Sequence, residues 1–387
     1  MFKTASDKLA ENIIKNAALR LYNYLYNQHW NGHALKGPDP GVRFNARIWR
    51  FPKSYLRFLP WSDDLVYAQA QKYWIHDNWL MSDLDPDNAY KYREIAIACS
   101  DYLLTVQQTE GYWEYPNPEW KGRIATIEGN YAAIGMLETY NRTGKPELLE
   151  AAKKWYEFAV NRIGYQEKNG MLAINYFCDR GNSMIPNNSA SALCVFAILA
   201  RAADDAQYLE TCGGMVSWLN DVQLDTGELP YGIAGPGEKS ASDRIHFLCY
   251  QYNAFQFLNL ADYYCLTQDE QIIPVLKKLA NFIASGIASN GNLWYDCRHE
   301  YPEVTYYSTA AGAALHLATE MGFGDYQAIS VTAYNRVLAA MKPDGRITYY
   351  SRRNYRFLND RRPYPRYLSM ILNHLLLRYQ TATKKKL

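Results

Sequence analysis

The feature that most constrains this chain is a short ending that recurs along it: a glutamine, three residues, a glycine, one residue, then an apolar side chain that is usually large. It reads Gln28-Gly32-Ala34, Gln107-Gly111-Trp113, Gln166-Gly170-Leu172 and Gln223-Gly227-Leu229. Two altered copies follow, Ile287-Gly291-Leu293 and Met341-Gly345-Ile347. After a first gap of 79 residues, successive glycines lie 54 to 64 residues apart. Tyr115, Tyr231, Tyr295 and Tyr349 each stand four residues after a glycine. A period of this size signals stacked supersecondary units, and about 58 residues hold two helices of four or five turns with two loops. Glycine after a helical run is a left-handed stop, because it takes positive φ without a Cβ clash. The apolar residue two positions on is then expected to fold back as a plug between neighbouring hairpins.

Helical periodicity runs through twelve segments, near 5–28, 64–80, 88–107, 125–142, 146–163, 187–203, 205–222, 243–266, 270–287, 305–321, 325–341 and 364–380. The odd-numbered segments end in the recurring motif and carry more charge, as in ELLEAAKKWYEFAV. Most even-numbered ones are richer in small and apolar residues, as in SASALCVFAILARAA. Small residues on both sides of a helix imply neighbours on both sides. The pattern predicts an all-α chain of six helical hairpins, an (α/α)6 barrel with six inner helices inside six outer ones. One domain would span residues 1–387, with the long loop 29–62 lying across the mouth. The longer loops deliver the chain to the inner-helix N-termini, and function is expected there.

Composition narrows the class. The 387 residues are 48% hydrophobic, enough for a sizeable core, and a net charge of +2 gives no nucleic-acid footprint. The seven cysteines are odd in number and contain no Cys-x-x-Cys pair, which argues against a disulfide framework and against a zinc site. No metal and no cofactor are expected. No apolar run approaches the ~20 residues of a membrane span, and the amphipathic N-terminus lacks the apolar stretch of a signal peptide, so the expected location is the cytoplasm. With 34 Tyr and 10 Trp, the chain is rich in rings that have a polar handle and suit a wet, ligand-facing groove.

The six-hairpin order resembles the (α/α)6 toroid superfamily of glycosidases, polysaccharide lyases and uronyl epimerases over nearly the whole chain. Separately, Ala98-x3-Tyr102-Leu103-x3-Gln107-x3-Gly111-x-Trp113 is similar to the QW repeat of squalene and terpenoid cyclases, as is Gly214-x3-Trp218-Leu219-x3-Gln223-x3-Gly227.

Several rim residues are candidates for chemistry. Trp61-Ser62-Asp63-Asp64 opens the first inner helix. Two adjacent carboxylates there are either first-turn residues or a general acid raised by its neighbour and by burial. The cyclase resemblance implies the same acid through an Asp-x-Asp-Asp motif, with Trp61 standing where its first Asp would be. Glu128, followed by Asn130 and Tyr131, opens the second inner helix. Asp243, His246, Tyr250 and Asn253 are spaced three, four and three apart, which would put them on one helical face as a pocket wall. Asn187 and Asn188, Tyr306 and Tyr307, and Trp113 are further rim candidates. The last loop carries six arginines interleaved with tyrosines, among them Arg362 and Arg366. Guanidinium groups pair carboxylates in a fork, so that loop suits an anionic sugar.

The leading expectation is an enzyme acting on an acidic, uronate-containing oligo- or polysaccharide by hydrolysis, elimination or epimerisation. Asp63, Asp64, Glu128, His246 and Tyr250 would carry the proton transfers. The partner would be a saccharide or other small molecule, with no nucleic acid. Two alternatives stand beside it: a terpenoid-type cyclase protonating an isoprenoid through Asp63, and a non-catalytic saccharide-binding toroid.

Overall fold

The computed structural model describes residues 5–40, 44–56, 58–59, 64–120, 122–234, 245–349, 358 and 360–384. The chain opens with α1 (Ala5–Gln28) and α2 (Phe44–Tyr55), then alternates inner and outer helices. They are α3 (Ala68–Leu84), α4 (Ala89–Val106), α5 (Thr126–Thr143), α6 (Pro146–Phe158), α7 (Pro186–Ala203) and α8 (Cys212–Val222). The second half adds α9 (Cys249–Thr267), α10 (Ile273–Ser285), α11 (Ser308–Glu320), α12 (Gln327–Ala340) and α13 (Pro365–Lys384). Helices α3, α5, α7, α9, α11 and α13 each pack on the next, and α13 returns to α3. The ring therefore closes. Helix α1 packs on α13 as its outer partner. The result is an all-α (α/α)6 toroid, assembled from the helices that the repeat predicts. Among the described residues, no helix is long and apolar enough to cross a membrane.

The recurring motif has a structural job at four of its six copies. The Gln107 side-chain amide donates to the Gly111 carbonyl and to the Ala151 carbonyl of α6, both at 2.9 Å. Gln223 does the same to Gly227 (2.9 Å) and to Val275 of α10 (3.1 Å). Gly111 has φ +102°, and an added Cβ would sit 2.6 Å from the Lys154 carbonyl oxygen. Gly227, Gly291 and Gly345 press equally on the backbones of Lys278, Thr332 and Arg20. At these four copies the motif clamps one outer helix to the next, and the last clamps back onto α1. The apolar residue that follows is a buried plug, as at Trp113, Leu229, Leu293 and Ile347, each contributing about 2 kcal/mol of apolar burial.

Two elements depart from the sequence reading. The third copy is not a helix ending, since Gln166 lies in a strand. Strands β1 (Tyr165–Lys168), β2 (Met171–Phe177), β3 (Arg180–Met184) and β4 (Ile233–Ala234) form one antiparallel sheet in that order. The turn between β1 and β2 holds Asn169 and Gly170, both with positive φ, a common hairpin pairing. The Tyr-Gln-Glu-Lys strand alone is too short and polar to be told from a loop. The second departure is α2, which lies inside the predicted loop 29–62. Twelve residues with an internal Pro52 fall below the length at which helical periodicity stands out.

Candidate active site

The inner helices all present their N-termini to one rim. Glu128 lies in the first turn of α5 and is 3% exposed. Its carboxylate accepts the backbone N–H of Ala68, the first residue of α3, at 2.6 Å. Burial pushes Glu128 up to about 7, against the pull of that N–H and of Arg366, with Asp39 adding to the rise. Gly129 follows because the Trp155 ring of α6 occupies the space its Cβ would need. Thr126 donates to the Asn175 carbonyl at 2.5 Å, and Ala125 bridges Phe177, so the sheet is fastened to the same helix start.

Next to Glu128, Arg366 in the first turn of α13 meets the Asp39 carboxylate at 2.7 Å. Its guanidinium lies over the rings of Tyr67 (4.2 Å) and Tyr367 (4.6 Å) and donates to the Tyr367 hydroxyl at 2.9 Å. From there a band of rings runs along the loops: Tyr67 to Tyr115 (5.7 Å), Tyr115 to Trp120 (4.7 Å), and Trp120 to Phe177 (5.1 Å). Tyr307 and Tyr349 both approach Tyr367, at 5.7 and 5.8 Å. Polar groups sit among them. Asn188 is fully buried in the first turn of α7, and neither its side-chain oxygen nor its nitrogen has a partner; the Asn187 oxygen is likewise unpartnered. Buried polar atoms of this kind are rare, and at a helix start they are ready acceptors and donors for a ligand.

Below Glu128 the barrel interior stays polar. The Tyr131 hydroxyl accepts from Gln69 at 3.2 Å, and its ring faces Tyr73 at 6.3 Å. Tyr73 in turn meets His374 at 6.2 Å, and Asn373 donates to the fully buried Asp77 at 3.0 Å. Burial lowers His374 to about 3, so it is a neutral imidazole.

The structure brings Glu128, Tyr131, Asn187, Asn188, Tyr307 and Arg366 to this rim and sends other candidates elsewhere. Asp64 is exposed and faces Lys36 at 3.1 Å, four residues before Ala68. Trp61, Asp63 and Asp243 lie outside the described residues. Trp113 is the buried plug already described, donating to the Leu103 carbonyl at 2.9 Å. Asn130 is spent on Ser191 (2.8 Å) and the Trp155 indole (3.0 Å), tying α5 to α7 and α6. The Tyr306 hydroxyl donates to the Ile347 carbonyl at 2.7 Å and accepts the Tyr364 N–H at 3.1 Å. Arg362 donates to the Tyr364 hydroxyl at 3.2 Å beside the buried Asp360, so it braces the last loop.

The expected stripe of Asp243, His246, Tyr250 and Asn253 does not form. Leu248 takes a left-handed conformation (φ +46°), and α9 begins only at Cys249. The helical register that linked the four residues is broken there. Tyr250 stacks on Phe282 of α10 at 4.7 Å, over Gly286. Asn253 exchanges hydrogen bonds with the Leu229 backbone at 2.8 and 3.0 Å. His246 meets the buried Glu228 at 2.8 Å, and Cys297 joins them. The ligating atoms of Glu228, His246 and Cys297 lie within 4.8 Å of one another. The sequence reading missed that meeting because three separate loops supply it. It also missed Asp39, although an Asp between Pro38 and Pro40 in a long loop is a rigidly presented carboxylate.

Comparison with known proteins agrees with this architecture. The pattern of glycosyl hydrolase family 76 matches residues 104–321. No curated protein matches the chain. Among solved structures, the chain is similar to a possible member of family GH105 from Salmonella enterica, at 12% identity and TM-score 0.69, covering 96% of this chain and 94% of that one. It is similar to cellobiose 2-epimerase from Bacillus thermoamylovorans, at 14% identity and TM-score 0.68, covering 95% and 99%. A family 76 glycoside hydrolase described as a mannosidase, from Bacteroides thetaiotaomicron, aligns at 10% identity and TM-score 0.65, covering 96% and 99%. At such identities these likenesses concern the toroid fold.

Proposed function

The chain belongs to glycosyl hydrolase family 76 and is a carbohydrate-active enzyme; on that premise we propose that it hydrolyses a glycosidic bond in a neutral, mannose-type saccharide bound at the inner-helix rim. The observation that carries this reading is the buried Glu128 carboxylate, held by the Ala68 N–H and raised to about 7. A group of that kind is protonated in a useful fraction near neutral pH and suits the general acid. The mechanism needs a second carboxylate across the scissile bond. Asp63 and Asp64 are the candidates that the sequence offers, five and four residues before the Ala68 that binds Glu128. The acid would protonate the leaving oxygen, while the other carboxylate attacks the anomeric carbon or activates water.

A neutral sugar fits the charges of the rim better than a uronate. The two arginines expected to recognise a uronate are already engaged, Arg366 with Asp39 and Arg362 with Tyr364 beside Asp360. What is left is a band of rings, including Tyr115, Trp120 and Phe177, with the amides of Asn187 and Asn188. Ring faces support sugar faces, and amides bind hydroxyls. Segment 29–62 would cap the mouth. Its helix α2 is clipped to the last loop where the Arg361 N–H donates to the Ser54 hydroxyl at 2.6 Å. The cyclase alternative needs an apolar lining below the acid, and Asp77, Asn373 and His374 make the interior beneath Glu128 polar. The QW-like residues serve to join outer helices.

The test is to incubate the full chain with α-mannose oligosaccharides and, separately, with uronate-containing oligosaccharides, following new reducing ends and unsaturated uronate products. Reducing ends from mannosides alone, lost in Glu128→Gln, support the reading. Turnover of uronates alone, or full activity in Glu128→Gln, sinks it.

A further inference from the structure

At the start of α9, on the same rim of inner-helix N-termini, donor-bearing side chains from three segments converge. Glu228 lies within the motif after α8, between Gly227 and Leu229, and is fully buried. His246 lies in the turn ahead of α9 and places Nδ1 2.8 Å from Glu228 Oε2. Cys249 is the first residue of α9. Cys297, in the loop after α10, has its sulfur 3.2 Å from that of Cys249 and 3.6 Å from Glu228 Oε2. We infer that Glu228, His246, Cys249 and Cys297 form a binding site for a zinc-type divalent ion, fastening the loops after α8 and α10 to the start of α9.

Three observations carry the inference. The first is the unpartnered atom: Glu228 Oε1 is buried without a hydrogen-bond partner, although its own Oε2 is engaged by His246 and Cys297. A buried carboxylate oxygen left unsatisfied is unfavourable, and a bound cation relieves it. The second is the shape of the cluster. With zinc bonds of about 2.3 Å to sulfur and about 2.0–2.2 Å to nitrogen or oxygen, the edges of a tetrahedron come to about 3.3–3.8 Å. Three of the six edges, 2.8, 3.2 and 3.6 Å, come within about half an ångström of that range, and Cys249 would draw in to join the three donors that lie within 4.8 Å of one another. The third is the support around the donors. Asn253 donates to the carbonyls of Cys249 (2.8 Å) and Leu229 (3.0 Å), which locks the Glu228 loop to the turn bearing Cys249. Outer contacts of this kind orient metal ligands.

Two thiols, an imidazole and one carboxylate are a soft-to-borderline set that favours zinc over magnesium or calcium. Four protein donors close the coordination shell, which gives the ion a structural role. The inference does not rest on the reading of Glu128, because the contacts that join the four residues are separate from those of Glu128 and Arg366. Binding would release to solvent whatever protons the four donors carry.

The experiment uses the full chain purified under reducing conditions and then stripped with a chelator. Zinc content is measured before stripping, and Co2+ is titrated in afterwards while the near-ultraviolet thiolate-to-cobalt band is followed. One zinc per chain, a cobalt band saturating at one equivalent, and a melting temperature that falls by several degrees on stripping and returns with Zn2+ are the expected results. Cys297→Ser and His246→Ala should weaken Co2+ binding at least tenfold, whereas Cys265→Ser, which alters an exposed cysteine outside the cluster, should leave it unchanged. The wild-type measurements stand even where a variant fails to fold. A reduced chain that takes up neither Zn2+ nor Co2+, or one whose cobalt band survives Cys297→Ser unchanged, overturns the proposal. So does a purified chain in which Cys249 and Cys297 are joined as a disulfide and which binds no metal after reduction.

Discussion

The backbone N–H of Ala68 and the carboxylate of Glu128 meet at 2.6 Å across two adjacent inner helices. The contact does two things. It satisfies one of the free N–H groups at the start of α3, and it fixes a buried acid at the rim. Substituting Glu128 by Gln keeps an acceptor oxygen for Ala68 and removes the transferable proton. Turnover should fall by about 10²–10⁴-fold, while stability below about pH 4.5, where Glu128 is neutral in both states, stays within about 1 kcal/mol of the parent. Parallel kinetics and thermal melts would check both halves; an equal loss of activity and fold would count against a chemical role.

Glu128 also sets a pH dependence. Its pKa is near 7 in the folded chain against an ordinary value of 4.5, chiefly through burial. Between those two values the folded state holds a proton that the unfolded state has lost. The stabilising contribution is therefore full below about 4.5 and is lost as pH rises through about 7, to the extent of about 3 kcal/mol. Activity that relies on the protonated acid should decline over the alkaline part of the same window. Unfolding free energies and rates measured from pH 4 to 8 should both lose this slope in Glu128→Gln.

The ring of helices was legible in the sequence because its signal is long-range and repeated. Six glycine endings and alternating charged and small-residue segments leave few folds that satisfy them all. The site was legible only where one helix start carries a concentrated motif, as at Glu128 or Asn187-Asn188. It failed where local geometry breaks the helical period. Leu248 in the left-handed region separates His246 from Tyr250 and Asn253, and a bulky residue in that conformation is not foreseeable from composition. It also failed where partners come from distant loops, as with Asp39 and Arg366, or Glu228 and Cys297. Spacing along the chain carries no trace of such meetings.

The glycine endings make a differential prediction about stability. Gly170 and Gly227 both have positive φ, so alanine at either carries the left-handed penalty of about 1 kcal/mol. A Cβ at Gly170 meets nothing within 4 Å, whereas one at Gly227 drives into the Lys278 backbone of α10. Gly227→Ala should therefore cost at least about 1–2 kcal/mol more than Gly170→Ala. Urea denaturation of the two variants would measure the difference. Equal costs would mean that the clamp between outer helices is slack and that the motif matters only as a turn.

Arg366 and Asp39 offer the last test, and it bears on the substrate. The carboxylate is nearly buried, and the guanidinium lies between the rings of Tyr67 and Tyr367. Removing one partner strands the other charge, which typically costs about 3–5 kcal/mol. Arg366→Met should thus lower stability sharply, and adding Asp39→Asn should recover part of the loss. If the arginine serves structure in this way, a folded Arg366→Met/Asp39→Asn chain keeps its preference for neutral over anionic saccharides. If instead the double variant loses binding to a uronate that the parent holds, Arg366 contacts the ligand directly and the neutral-substrate reading fails. Chemical denaturation gives the first comparison, and calorimetric titration with one neutral and one acidic oligosaccharide gives the second.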